Sequence, residues 1–143
     1  MYPCQAGYIE KALLRFGVIP PKQPQHSPHA WIAPIYGAAA QLVPPTDDIA
    51  PLDAAGKTRL KKIIGTLLFY ARSVDSSLLV ALGSLASAKF RGTVATARAA
   101  TQLLDYCATH PDATVRYHAS DMILHIHSNA SYLSELHARS RAG

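Results

Sequence analysis

Apolar positions keep helical spacing in some stretches of the chain and lose it in others, and that alternation divides the sequence. Tyr8, Ile9, Ala12, Leu13 and Phe16 recur three and four residues apart, with Glu10, Lys11 and Arg15 between them. This pattern predicts a short amphipathic helix that ends at Gly17. About three turns are marginal alone, so the helix needs a surface to lie on. From Val18 to Pro51 no apolar period persists, and Pro20, Pro21, Pro24, Pro28, Pro34, Pro44 and Pro45 punctuate the stretch. It reads as an irregular linker. Trp31, Ile32, Ile35 and Tyr36 are candidates for pinning it to a surface, although an irregular tether is the preferred reading.

Helical spacing returns after Asp53, a predicted N-cap, where Leu60, Ile63, Ile64, Leu67, Leu68 and Ala71 form one stripe. Asp75 is the next N-cap candidate, with Val74 and Leu79 placed for a hydrophobic staple and Leu78, Leu82 and Leu85 continuing inward. Thr93 opens a third long helix that turns Ala97, Ala100, Leu104 and Cys107 inward, until Pro111 bars further helix. The period then changes to two: Val115 and Tyr117 flank Arg116, and Met122, Leu124 and Ile126 alternate with Ile123, His125 and His127. That is strand chemistry, and the link Ala119-Ser120-Asp121 predicts a hairpin with Asn129 on the face of His125 and His127. The expected fold is therefore α+β and mostly helical. Three packed helices over 53–110 follow a short N-terminal helix over 1–17 and a Pro-rich linker over 18–52, and a C-terminal β-hairpin lies within 111–143.

Composition changes this picture in three places. Nine of the ten prolines lie between Pro3 and Pro51, so the remainder can pack into one core. The longest apolar stretch, Leu78 to Ala86, is interrupted by Gly83 and Ser84 and falls short of the roughly 20 residues that span a bilayer. No membrane partner is expected, and without a secretion signal at Met1 to Gly7 an intracellular setting follows. Cys4 and Cys107 lack the spacing of a disulfide or metal framework and are expected as reduced thiols.

The formal charge of +5 and pI near 9.4 suit a polyanion partner, because lysine and arginine release counterions from phosphates. Lys57, Arg59, Lys61, Lys62 and Arg72 lie mostly off the buried stripe and are the candidates for nucleic-acid contact, a solvated helix face being the commoner use of such charges. His118, His125 and His127 are weighed as metal ligands. Two alternate histidines on a half-exposed strand usually meet solvent, and no metal site is expected. Cys107 with His110 does not make a thiol nucleophile, and no glycine-rich phosphate loop or nucleophile elbow occurs.

Taken in order, the features resemble the reverse transcriptase to RNase H junction of copia-type retrotransposon polyproteins, over nearly the whole chain. Tyr8-Ile9-Glu10-Lys11-Ala12-Leu13-Leu14-Arg15-Phe16 is similar to the segment after the polymerase palm in that family. Ile64-Gly65-Thr66-Leu67-Leu68-Phe69-Tyr70-Ala71, with Val74-Asp75 soon after, resembles its glycine, serine or threonine, leucine-leucine, tyrosine helix. Val80-Ala81-Leu82, Ala99-Ala100, Leu103-Leu104-Asp105-Tyr106 and Val115-Arg116-Tyr117 follow in the family's order.

The resemblance implies a reverse transcriptase-end helix at 1–17, a helical connection at 53–110 and a truncated start of an RNase H-like domain at 111–143. The parent enzymes hold magnesium between carboxylates, and the first aspartate of that site corresponds to Asn129, which brings no negative charge. The remaining carboxylates are expected beyond Gly143, and no aspartate pair of the polymerase type precedes Tyr8. Asp47-Asp48 reads as an acidic turn in the linker. The expectation is a catalytically silent fragment with no catalytic residue, no cofactor and no metal of its own. Its expected partners are an RNA-DNA hybrid or other nucleic acid, held weakly, and a second copy paired through the hairpin edge. The alternative is a domesticated binding or assembly module that uses the helical segment and that exposed edge.

Overall fold

In the computed structural model, residues 7–31, 33, 35, 50–88, 92–114, 119, 121–123, 126, 130–135 and 139–142 are described. The chain divides into two compact units, Met1–Ala30 with Asp48–Val115, and Trp31–Asp47 with Arg116–Gly143.

The first unit is helical: α1 (Tyr8–Phe16), α2 (Ala54–Ser73), a 3₁₀ turn at Ser76–Leu78 running into α3 (Leu79–Ala88), and α4 (Val94–Thr109). α1 forms because its apolar residues fall on one side, with Ile9, Ala12 and Phe16 buried. It ends because Gly17 takes the left-handed conformation at φ 65°. The Gly17 N–H then reaches the Leu14 carbonyl and the Val18 N–H the Leu13 carbonyl, a paired closure that satisfies the last carbonyls of the helix. α2 starts where Asp53 Oδ1 accepts the Gly56 N–H at 2.7 Å. A Cβ on Gly56 would come within 2.9 Å of that oxygen, so a side chain there would displace the cap. Asp75 caps the 3₁₀ turn by accepting from Ser77, and Leu78 rather than Leu79 enters the core. α4 begins with a reciprocal cap in which the Thr93 and Thr96 hydroxyls each accept the other residue's N–H.

The core lies among these helices. Leu60, Ile63, Ile64, Leu67, Tyr70 and Ala71 of α2 meet Leu82 and Leu85 of α3 and Leu103, Leu104 and Cys107 of α4, and α1 seals it with Ile9 and Phe16. Leu67, Leu78 and Leu103 are wholly buried, each contributing about 1.5–3 kcal/mol of transfer free energy. Tyr8 fastens α1 to α2. Its ring stacks on Tyr70 with centroids 5.6 Å apart, and its hydroxyl donates to the Thr66 carbonyl at 2.9 Å. A clamp not foreseen from the sequence joins the starts of α2 and α4. Pro51 and Thr93 form an isolated bridge in which Leu52 N–H reaches the Gly92 carbonyl and Val94 N–H the Ala50 carbonyl. Trp31 and Ile35 are exposed, whereas Ile32 and Tyr36 lie outside the described residues.

The expected α+β class, with a truncated RNase H-like hairpin at the C-terminal end, needs correction. Among the described residues the packed body is helical, with four α-helices, and no hairpin built on Val115–Tyr117 and Met122–Ser128 is seen. Met122 takes φ 62°, a left-handed value no strand residue holds, and is 91% exposed. Asp121 Oδ1 accepts the Ile123 N–H at 3.1 Å, a local turn that competes with strand pairing. Ile123 and Ile126 are exposed as well. The described apolar positions of the alternating pattern thus stay on the surface, and a strand pair without a buried face is marginal. In the second unit the described pairing involves other residues, a short antiparallel ribbon of β1 (Ala130–Glu135) and β2 (Arg139–Ala142), irregular between Ser131 and Glu135. Val115–Tyr117, His118, His125, His127 and Asn129 lie outside the described residues.

Candidate functional site

The five cations expected mostly off the buried stripe of α2 lie on two sides of it in the folded helix. At about 100° per residue, Lys57, Lys61 and Arg72 fall on one side of the buried stripe, while Arg59 and Lys62 fall toward the other. Lys57 is half-buried, its stem lying beside Gly92 at the α2–α4 clamp. Lys61 and Arg72 are exposed and about 16 Å apart along the axis. These three do not converge on one point.

Arg59 and Lys62 line one cleft, together with a third cation that the sequence did not single out. An open cleft of about 720 Å³ lies between the end of α1 and the first turns of α2, and Arg15, Arg59 and Lys62 line it. Phe16 and Thr58 also line it, together with Ala54, Ala55 and Gly56 of the first α2 turn. The Arg59 Nη2 donates to the Phe16 carbonyl at 2.8 Å, so this side chain closes α1 and is held at the cleft wall by the same bond. A guanidinium has five N–H donors, and the others remain for a ligand. Arg15 and Lys62 are exposed.

The backbone adds to the positive charge. The N-terminus of α2 opens on the cleft through Ala54 and Ala55, and its first turn carries no acidic residue. Unpaired N–H groups and the helix dipole at such an end favour an anion. Asp53 at the cap brings one negative charge, engaged by Gly56. Three cations and a helix start against one carboxylate leave the cleft suited to an anionic group with oxygen acceptors, such as a phosphate.

Arg15 escaped notice because it belongs to a different helix. What places it beside Lys62 is the docking of α1 on α2, which no spacing within either segment encodes.

Among the described residues, no three His, Cys, Asp or Glu side chains come together as a metal cluster, and no helix is long and apolar enough to cross a membrane. Cys107 is buried, and its thiol is pushed up to about 12, first by burial and then by the nearby charge of Asp75. It stays protonated across the neutral range, which makes it an inert core residue.

No protein-family model, no curated protein and no solved structure matches the chain.

Proposed function

We propose that this chain is a non-catalytic piece of a copia-type retrotransposon polyprotein whose activity is electrostatic contact with nucleic acid, made at the cleft between α1 and α2. The observation that carries the contact is that Arg15, Arg59 and Lys62 line one cleft at the open start of α2. The origin rests on the order of the motifs from Tyr8 through Tyr106, and several of their residues, including Ile9, Ile64, Leu67, Tyr70 and Leu103, share one core. The cleft offers charge and hydrogen-bond donors without a base-reading groove, so the contact is to the phosphate backbone and is indifferent to sequence. Its affinity belongs to the range of non-specific binding, with a Kd of about 10⁻⁴ to 10⁻⁶ M at physiological salt.

The test uses the purified chain and a fluorescently labelled RNA-DNA hybrid. Anisotropy is expected to show binding that tightens steeply as salt is lowered, and the RNA strand is expected to stay intact in the presence of magnesium. Magnesium-dependent cleavage by the purified chain would overturn the non-catalytic reading. Association unaffected by salt would overturn the electrostatic one.

A further inference from the structure

A second, more enclosed cavity of about 100 Å³ adjoins the cationic cleft. It lies between α2 and α4, with Leu52, Leu60, Ile63, Ala97, Ala100 and Leu104 for walls. Gly56 and Arg59 border both spaces. Gly56 has no side chain to divide them. The Arg59 head is held on the cleft side by the Phe16 carbonyl at 2.8 Å, so its alkyl stem forms the common wall. Leu52 is fixed in place as well, because its N–H donates to the Gly92 carbonyl at 2.8 Å. The Thr101 hydroxyl, which also lines the cavity, already donates to the Ala97 carbonyl at 3.1 Å. Water inside would thus find few partners.

We infer that cleft and cavity together form a site for an amphiphilic anion, a phosphate or similar head group that carries a short alkyl chain. The head meets the donors of Arg15, Arg59 and Lys62, and the chain meets the aliphatic side chains between α2 and α4. Among the described residues no aromatic ring lines the cavity, so a nucleobase has nothing there to stack on, whereas an alkyl chain matches the lining. A methylene is close in size to a water molecule, whose share of liquid volume is about 30 Å³, so the cavity of about 100 Å³ holds about three of them. Each methylene buried tightens binding about fourfold, and three tighten it about fiftyfold. The inference rests on the anion-binding role given to the cleft and not on nucleic acid being its occupant.

NMR titrations of the full chain with methyl, hexyl and octyl phosphate test the site. Hexyl phosphate is expected to bind about fiftyfold tighter than methyl phosphate, and octyl phosphate to stay within about fourfold of hexyl because the cavity is then full. The methyl signals of Leu60, Ile63 and Leu104 are expected to shift with hexyl phosphate and not with methyl phosphate. Ala97→Leu, which fills the cavity, is expected to bring hexyl phosphate down to the methyl phosphate affinity. If that variant fails to fold, the methyl signals of the parent chain carry the test. Equal affinities for methyl and hexyl phosphate, an undiminished gain from hexyl to octyl, or hexyl-induced shifts that miss Leu60, Ile63 and Leu104 would overturn the inference. Hexyl phosphate bound by a chain that leaves the RNA-DNA hybrid free would support the inference and sink the nucleic-acid reading. Hybrid binding with no effect of alkyl length would do the reverse.

Discussion

Replacing Ile9 with alanine asks whether α1 is part of the cooperative core. Ile9 is 2% exposed, whereas Leu14, five residues along the same nine-residue helix, is 79% exposed. Truncating a buried isoleucine to alanine costs about 2–5 kcal/mol through lost transfer energy and the cavity left behind. Alanine's better helix propensity returns a few tenths of a kcal/mol, so a net loss of about 3 kcal/mol is expected. With a urea slope of about 2 kcal/mol per M, the unfolding midpoint falls by about 1.5 M. Leu14→Ala, which removes the same kind of side chain from the exposed side, should stay within about 0.5 kcal/mol of the parent. Urea denaturation followed by far-UV circular dichroism separates the two. Equal midpoints for Ile9→Ala and Leu14→Ala would refute the docking of α1 and, with it, the cleft that α1 completes.

Other perturbations have comparably definite outcomes. Asp53→Ala removes the acceptor for the Gly56 N–H and should cost about 1 kcal/mol in the same assay, with Asp53→Asn recovering most of it. Tyr8→Phe keeps the stack on Tyr70 but loses the bond to the Thr66 carbonyl, so a loss of about 0.5–1.5 kcal/mol is expected, and Tyr8→Ala should cost more. Cys107 should resist a thiol reagent at pH 8 until denaturant unfolds the chain, because its folded value lies near 12 against a reference of 9.0. That shift is upward, so its contribution to stability is fully present below about pH 9 and is lost as pH rises toward 12. Alkaline denaturation of the parent and of Cys107→Ser, compared for slope over that interval, checks the sign.

The helices were legible because their signals are local. Asp53, Asp75 and Thr93 each cap the turn that follows by hydrogen bonds spanning two or three residues, and the α1 and α2 stripes bury most of the residues their spacing selects, with Tyr8, Leu13 and Leu68 only partly buried and Tyr70 added to the core. The hairpin failed for the opposite reason. Alternation from Met122 onward states only that a strand would have two unlike faces, and strand formation needs a partner and a surface that the alternation does not supply. At Asp121 the nearest acceptor for the Ile123 N–H is a side chain two residues back, and Met122 turns left-handed instead of extending. The candidate site was half legible. Charge on α2 was plain, but counting cations along one helix grouped Lys57, Lys61 and Arg72 with Arg59 and Lys62, although they leave the axis in different directions. Arg15 enters only when α1 docks, and the Pro51–Thr93 bridge is likewise a product of long-range packing.

The salt dependence of hybrid binding, compared between two pairs of charge removals, is the most direct measurement of the cleft's role. Arg15→Ala with Lys62→Ala empties the cleft of two cations and leaves the Arg59 bond to Phe16 in place. Lys61→Ala with Arg72→Ala removes the same charge elsewhere on α2. If Arg15, Arg59 and Lys62 each neutralise one phosphate, the logarithmic salt slope of the parent is about −2 to −3, and the cleft pair should reduce its magnitude by about 1.4 to 1.8. The Lys61/Arg72 pair should leave the slope near the parental value. Equal reductions from the two pairs, or a loss confined to the second, would contradict the account.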